Sequence, residues 1–533
     1  MLSKSLYNED VWTRFVQKHA KSEALYIHKT YPQLDPQFNF FKSSEKVKQL
    51  VSDPTLKKVA KHSFIPFVKI LTKTPRYRYQ ENEKDYGLET KIRPISFASH
   101  FDSYLYAFYS FALNEKYQAY IHDRGFQECV LAYRSDLFGK CNIQFAKEAF
   151  DAVEGQLKIS GTCCALALDI TGYFDNIDHF KLKEKWIKVI KDSELPIDQY
   201  AIFRSITKYS YVNKDSILKH FNIDLKKLTK EGKRWNSLLD LVPDKIAGHT
   251  FRDKFNLLKK RKLININLPK KSSDGSKSFR GIPQGSPISA VLSNIYLIDF
   301  DEWLFNLSLK HNFTYRRYCD DILIICSTMD VARINTIVLK EIEKYGLVIQ
   351  PKKTDIIEFK NDSKNKLRSF NKKKIDENKI VLSALNELSF QKNLQYLGFE
   401  FNGTNSYIRP GSLSRYFKKM KDRVSKTIKM AYSKNSKSEK INKKQILERY
   451  SHLGKRNFVT YALEAAKETY VKSSGIPRLG LNSRSINRQL SAHISHIERE
   501  ISKSSAQRYK VKIEKNIKRK SKGKKELKVV LKK

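Results

Sequence analysis

Cysteine is scarce in this 533-residue chain, and none of the six (Cys129, Cys141, Cys163, Cys164, Cys319, Cys326) forms a Cys-x-x-Cys pair. That absence argues against a zinc ribbon or a disulfide framework, and the placement of several cysteines in apolar runs reads as buried thiols of a reducing cytoplasm. No apolar run reaches eighteen residues, no secretory apolar segment lies near Met1, and no lipidation signal is found. A membrane is therefore the disfavoured partner. Acidic residues are also few: 56 Asp and Glu stand against 102 Lys and Arg, a formal net charge of +46. An excess of that size attracts phosphate backbones, releases their counterions and binds less tightly as salt rises. Hydrophobic residues make up 40% of the chain, enough for a sizeable core at this length. The 28 Tyr and 31 Phe fill that core or stack on unpaired bases.

Against this background, three segments carry chemistry. Tyr318-Cys319-Asp320-Asp321 sits between Phe313-Thr314-Tyr315-Arg316-Arg317 and the apolar run Ile322 to Cys326, the pattern of a β-hairpin with acids at its turn. Adjacent carboxylates repel and add nothing to a core, so holding both at a buried strand end makes sense chiefly when a divalent cation neutralises them. A solvated turn is the plain alternative. Upstream, the apolar run Cys163 to Leu168 ends in Asp169, and Ile170-Thr171-Gly172-Tyr173-Phe174-Asp175-Asn176-Ile177-Asp178 follows. A second strand thus delivers an acid to its end, whereas Asp178 fits a helix N-cap as well as any catalytic role. Carboxylates from two converging strands can hold two Mg²⁺ about 4 Å apart, the arrangement that serves in-line phosphoryl transfer. Between them, Arg280-Gly281-Ile282-Pro283-Gln284-Gly285-Ser286-Pro287 forms an irregular Gly-Pro loop opening an apolar helix, against which a nucleotide or template base can lie.

In this order the segments resemble the reverse transcriptase family, specifically its bacterial branch of group II intron, retron and unknown-group enzymes. The resemblance runs from Lys91 to Phe401. It implies an α+β, right-hand polymerase fold: fingers, a palm with an antiparallel sheet, and a helical thumb. Carried over residue by residue, Asp169, Asp320 and Asp321 become the catalytic acids, and with the Ile170 carbonyl they become the ligands of two Mg²⁺. Lys353, within Gly346 to Thr354, matches the lysine that assists pyrophosphate departure. Lys91 and Arg93 meet the triphosphate, Gln284 and Gly285 lie near base and sugar, and Phe174 stands where the family blocks a ribose 2′-hydroxyl. Tyr133 and Arg134, in Ala132-Tyr133-Arg134, face the template together with Ser286 and Pro287, and Tyr396-Leu397-Gly398 resembles the primer-grip hairpin. Each assignment has a bland rival: Phe174 as a core aromatic, Arg93 as surface charge, Lys353 as one lysine among many.

The expected organisation is a helical N-terminal region over residues 1–85 and fingers and palm over 86–405, with an insertion at about 188–277. A helical thumb follows over 406–502, and a mobile basic tail over 503–533, where fourteen Lys and Arg face two Glu. After Cys326 there is no further cysteine, and His493 and His496 alone cannot complete a zinc site, so a zinc-dependent endonuclease module is not expected. No ribonuclease H signature is evident in the last 130 residues, so RNA removal falls to another enzyme.

The stretch Arg449 to Ala462 resembles the thumb of unknown-group, defence-associated reverse transcriptases. The resemblance therefore implies an enzyme making DNA from deoxynucleoside triphosphates on an associated non-coding RNA, in bacterial antiviral defence. Its partners are the RNA template and a DNA primer or product, with assembly into a homo-oligomer left open. A retron or intron-type enzyme, a protein-primed or template-independent DNA polymerase, and a catalytically inactive RNA-binding scaffold remain as alternatives.

Overall fold

The computed structural model describes residues 5–19, 29–80, 85–231, 235–271, 277–351, 354–372, 390–433, 441–472 and 475–530. It is an α+β protein, with the strands gathered in a few small sheets. The long strands β1 (Phe67–Gln80) and β2 (Asp85–Phe97) pair antiparallel from Val68↔Phe97 to Gln80↔Asp85. Then come β3 (Cys163–Asp169), β4 (Ser210–Asn213), β5 (Ile264–Ile266), and the two-residue pair β6 (Lys270–Lys271) and β7 (Lys277–Ser278). The hairpin β8 (Thr314–Tyr318) and β9 (Asp321–Cys326) precedes β10 (Asp355–Asn361) and β11 (Leu367–Asn371). Three short strands follow, β12 (Leu394–Tyr396), β13 (Phe399–Phe401) and β14 (Ser406–Ile408), and the antiparallel pair β15 (Thr469–Val471) and β16 (Pro477–Leu479) comes last. The two larger sheets run β2-β1-β4-β5 and β11-β10-β3-β9-β8. In the second, β3 and β9 are interior, which is why both read as nearly unbroken apolar runs.

The chain divides into two compact units: Met1–Asp136 with Leu168–Leu323 and Ala332–Thr354, and Leu137–Ala167 with Ile324–Val331 and Asp355–Lys533. In the first, helix Glu9–His19 presents Trp12 and Phe15 to Phe108, and helix Phe40–Val51 stacks Phe40 on Tyr104 at 4.4 Å. Phe15 meets the rings of Phe40 and Phe108 at 5.6 Å, both edge-on, the arrangement that aromatic quadrupoles favour. Phe108 belongs to helix His100–Asp123, buried on nearly every face, as befits a helix apolar all round.

Two domain expectations meet a different arrangement here. The N-terminal region is helical only as far as Ala60 and then enters β1, so a boundary at residue 85 falls between paired strands. The segment 188–277, expected as an insertion, is built into the core of this unit. Val212, Ile217, Leu238, Leu239, Val242 and Leu258 share one apolar cluster with Leu34 and Val68, and β4 extends the sheet by pairing with β1.

In the second unit, helix Pro410–Ala431 begins with proline in its first turn and packs Met420, Val424 and Ile428 with Ile446, Ile497 and Ile501. Ile497 and Ile501 lie on helix His493–Val530, which passes residue 503 unbroken. The basic composition expected to leave a mobile tail therefore forms helix, as a lysine-rich segment does once a packed turn has nucleated it. All six cysteines are free thiols, five of them buried. Among the described residues no helix is long and apolar enough to cross a membrane.

Candidate active site

Asp169 ends β3 half-buried, and the backbone after it is held from two sides. Its own carbonyl accepts from the Gln350 amide at 2.8 Å, and the Thr171 amide donates to the Val348 carbonyl at 2.8 Å. Ile170 and Ile349 thereby form an antiparallel bridge of the kind in which the central residue's N–H and C=O point away from its partner. On that other side the Ile170 amide donates to the Asp320 carbonyl at 3.0 Å. The two acid-bearing segments lie side by side, and the Ile170 carbonyl faces the same turn.

That turn is Cys319-Asp320, the two residues between β8 and β9, with the exposed Asp321 opening β9. Cys319 takes φ 59°, the left-handed region that side chains enter at a cost of about 1 kcal/mol. Arg317 helps to hold it there. Its side chain is fully buried, its Nη1 donates to the Cys319 carbonyl at 3.0 Å, and its Nε donates to Asp301 at 2.7 Å. Asp301, equally buried, also accepts from the Tyr315 hydroxyl at 2.6 Å. The Cys319 thiol is pushed up to about 11 by burial, then by the Asp320 charge, while a hydrogen bond with Tyr133 opposes the shift.

The Gly-Pro loop is stitched to the segment after Asp169. The amides of Gly281 and Ile282 donate to the carbonyls of Ile177 and Phe174 at 2.8 and 2.9 Å. Farther along, the Ser96 amide of β2 donates to the Gln284 carbonyl at 2.8 Å. Gly285 has φ +113°, and a Cβ there would lie 2.8 Å from Ile95 Cγ2 and 3.0 Å from the Ser96 carbonyl, so only glycine fits. Lys91 and Arg93 alternate onto the same face of β2 as Ile95 and so lead towards this loop. Phe174 is half-buried, Gln284 and Pro287 are half-exposed, and Ser286 is buried with no partner for its hydroxyl among the described residues.

Other sequence candidates fall elsewhere. Arg134 turns inward, its side chain 2% exposed, donating to the Val130 carbonyl and to Asp136. It braces its own loop rather than presenting a guanidinium to solvent. Tyr133, by contrast, is 46% exposed at φ 62°. Asp178 is the N-cap of helix His179–Ile190, accepting from the Lys181 amide at 2.9 Å, so the capping role holds for it. Tyr396-Leu397-Gly398 lies in the second unit, where Leu397 and Gly398 at φ 45° and 96° make the two-residue turn joining β12 to β13. Lys353 lies outside the described residues.

Sequence patterns did not reveal Arg317, Asp301 or Asn294. Asn294, in helix Ser289–Tyr296, donates to the Ala132 carbonyl at 2.8 Å and lies 3.4 Å from Arg317 Nη1. A signal existed in Thr314-Tyr315-Arg316-Arg317-Tyr318, where strand alternation puts Arg317 on the inward face with Tyr315 and so demands a buried acid.

Against known proteins, residues 244–401 match the family described as reverse transcriptase (RNA-dependent DNA polymerase). The chain contains a reverse transcriptase domain. The matched residues hold the Gly-Pro loop, the Asp320-Asp321 hairpin and the β12-β13 turn, while Asp169 lies upstream of them. Telomerase reverse transcriptase of Takifugu rubripes is 24% identical over 217 residues, covering 36% of this chain and 19% of that protein. The chain thus spans about a fifth of that relative's length. Among solved structures, telomerase of Candida albicans in complex with a fragment of telomeric RNA is 15% identical, with TM-score 0.30 over 75% of this chain and 58% of its own. Apo telomerase of Candida tropicalis is 12% identical, with TM-score 0.34 over 89% and 68%.

The donor set of the reverse transcriptase domain suits a hard cation: carboxylate and carbonyl oxygens at adjoining strand ends. Among the described residues no group of three or more His, Cys, Asp or Glu side chains is placed to hold a metal ion, and Asp169, Asp320 and Asp321 therefore do not form one. Mg²⁺ needs no such group, since it is commonly bound by one or two carboxylates with substrate phosphates and water filling its octahedron.

Proposed function

We propose that the chain is an RNA-directed DNA polymerase, with Asp169, Asp320 and Asp321 as its catalytic acids. The observation that carries this reading is the Ile170 to Asp320 hydrogen bond, which joins an acid-bearing strand end upstream of the matched residues to the acid-bearing turn within them. Bound Mg²⁺, held by those carboxylates and the Ile170 carbonyl, supplies charge neutralisation for a primer hydroxyl and for departing pyrophosphate. The protein's own part is positioning. Lys91 and Arg93 take the triphosphate, and the Gln284-Gly285 backbone, fixed to β2, lies under base and sugar. Phe174, tied through its carbonyl to the same loop, restricts the pocket to deoxyribose. Lys353 and the Tyr396-Leu397-Gly398 turn are assigned to pyrophosphate and primer by resemblance alone.

The template is RNA, and an associated non-coding RNA copied in bacterial antiviral defence is the biological setting that the resemblance of residues 449–462 favours. Six cysteines outside any disulfide suit a reducing compartment such as the cytoplasm. Asp320→Ala removes primer extension while leaving the unfolding midpoint unchanged or raised, because it relieves carboxylate repulsion in the metal-free site. Extension at the normal rate by that variant would overturn the assignment. Sequencing of nucleic acid that copurifies with the chain, before and after deoxynucleotides are supplied, identifies the template: one abundant small RNA supports a dedicated template.

A further inference from the structure

Outside the polymerase site, the first unit contains a cavity of about 380 Å³ between the segment leading into β1 and helix Ile197–Thr207. Its walls are aromatic and its mouth is cationic. Phe64, Tyr200 and Tyr209 line it, with His62, Arg204 and Lys208. Tyr200 and Arg204, four residues apart, share one helix face, and Lys208 caps the C-terminus of that helix. Tyr200 is 46% exposed, Arg204 and Lys208 are exposed, and among the described residues neither cation forms an ion pair. A third cation, Lys183 Nζ, lies 5.4 Å from the Tyr200 ring centroid.

The walls are held in place. His62 Nε2 pairs with buried Asp102 at 2.7 Å, and the second oxygen of Asp102 accepts from the Ile65 amide at 2.9 Å. Phe64 stacks on Tyr106 at 5.5 Å, and Tyr209 meets Phe67 edge-on at 5.6 Å. The cavity is large enough for a base with its sugar and small for a lipid chain or a folded peptide. The exposed Tyr200 ring and the half-buried Tyr209 ring beside cations match the two surfaces of a nucleotide, an apolar base face and an anionic phosphate.

We propose that this cavity receives one unstacked nucleotide of a single-stranded nucleic acid, its base against Tyr200 and Tyr209 and its phosphates on Arg204 and Lys208. The proposal rests on the polymerase reading for the presence of such a strand, and it adds a holding point outside the catalytic acids.

The test uses the full chain without metal or deoxynucleotides and reads the anisotropy of labelled single strands of oligouridine and oligodeoxythymidine, with a blunt duplex as control. Tyr200→Ala is expected to weaken single-strand binding roughly 5- to 100-fold. Tyr200→Phe is expected to retain it, and the duplex to bind unchanged. Arg204→Ala with Lys208→Ala is expected to lower the slope of log affinity against log salt by about 1 to 2. Preference for oligouridine identifies RNA as the occupant, and equal or stronger binding of oligodeoxythymidine identifies DNA. Unchanged affinity in Tyr200→Ala, equal weakening on the duplex, or displacement of the strand by free uridine monophosphate at matching affinity would each overturn the proposal. Failure of the polymerase reading appears in primer extension by Asp320→Ala, and failure of this one in the anisotropy of Tyr200→Ala, so the two are distinguishable.

Discussion

Removing Asp301 while keeping Arg317 is the sharpest perturbation this structure offers. Both side chains are fully buried, and the guanidinium makes two charge-assisted contacts to the carboxylate and one to the Cys319 carbonyl at 3.0 Å. Stripping one partner from a buried pair leaves an uncompensated charge and costs about 3–5 kcal/mol. Asp301→Ala also takes an acceptor from the Tyr315 hydroxyl, which adds about 1–3 kcal/mol. Urea denaturation of that variant should therefore show a loss at the upper end of single-substitution effects. Replacing both partners, Asp301→Leu with Arg317→Met, removes the charges together and recovers most of the loss, since apolar substitutes for a buried pair are often neutral. Yet the double variant has no donor for the Cys319 carbonyl, and the left-handed turn that carries Asp320 loses that brace. Its stability should stay below the parent's by about the 1–3 kcal/mol lost at the Tyr315 hydroxyl, while primer extension at saturating deoxynucleotides stays at least tenfold slower. The reasoning is refuted if Asp301→Ala costs less than about 1 kcal/mol, or if a stable double variant extends primers at the parental rate.

Two further outcomes follow from other parts of the fold. Gly285→Ala places a methyl 2.8 Å from Ile95 Cγ2 at a φ of +113°, so the Gln284-Gly285 loop must leave β2; extension should fall steeply with little change in melting temperature, and normal extension would contradict the close approach. Lys29, whose Nζ reaches the Ser103 hydroxyl at 2.5 Å, is lowered by burial from 10.5 to about 7. The unfolded chain therefore binds the extra proton between those values, and stability rises with pH across that window, the full penalty being present below about pH 7. Lys29→Met should stabilise by a few kcal/mol, on the order set by such a shift, at pH 6 and by progressively less towards pH 10. The Tyr104 ring, 3.6 Å from Nζ, offsets part of this by favouring the charge. A melting difference between variant and parent that does not change with pH would exclude the buried amine.

Local pattern was enough to specify the pieces of the site. Runs of apolar residues ending in Asp169 and flanking Asp320-Asp321 described strands that deliver acids to their ends, and two glycines and two prolines described a loop that only one backbone path satisfies. The β12-β13 hairpin was equally legible, since its turn is made by adjacent residues. What no local pattern encodes is the partner. Which strand end lies beside Asp169 was decided by a hydrogen bond from Ile170 to a residue 150 positions away. The inward turn of Arg134 depends on the carbonyl of Val130 and the carboxylate of Asp136 being folded back onto it. The same holds for segment 188–277: its spacing marked an insertion with a solvated lysine-rich face, and its apolar residues find their partners in Leu34 and Val68, far away in sequence. Periodicity fixes which face of an element is buried. The identity of what covers that face, and whether a charge on it finds its counter-charge, is a property of the packed chain.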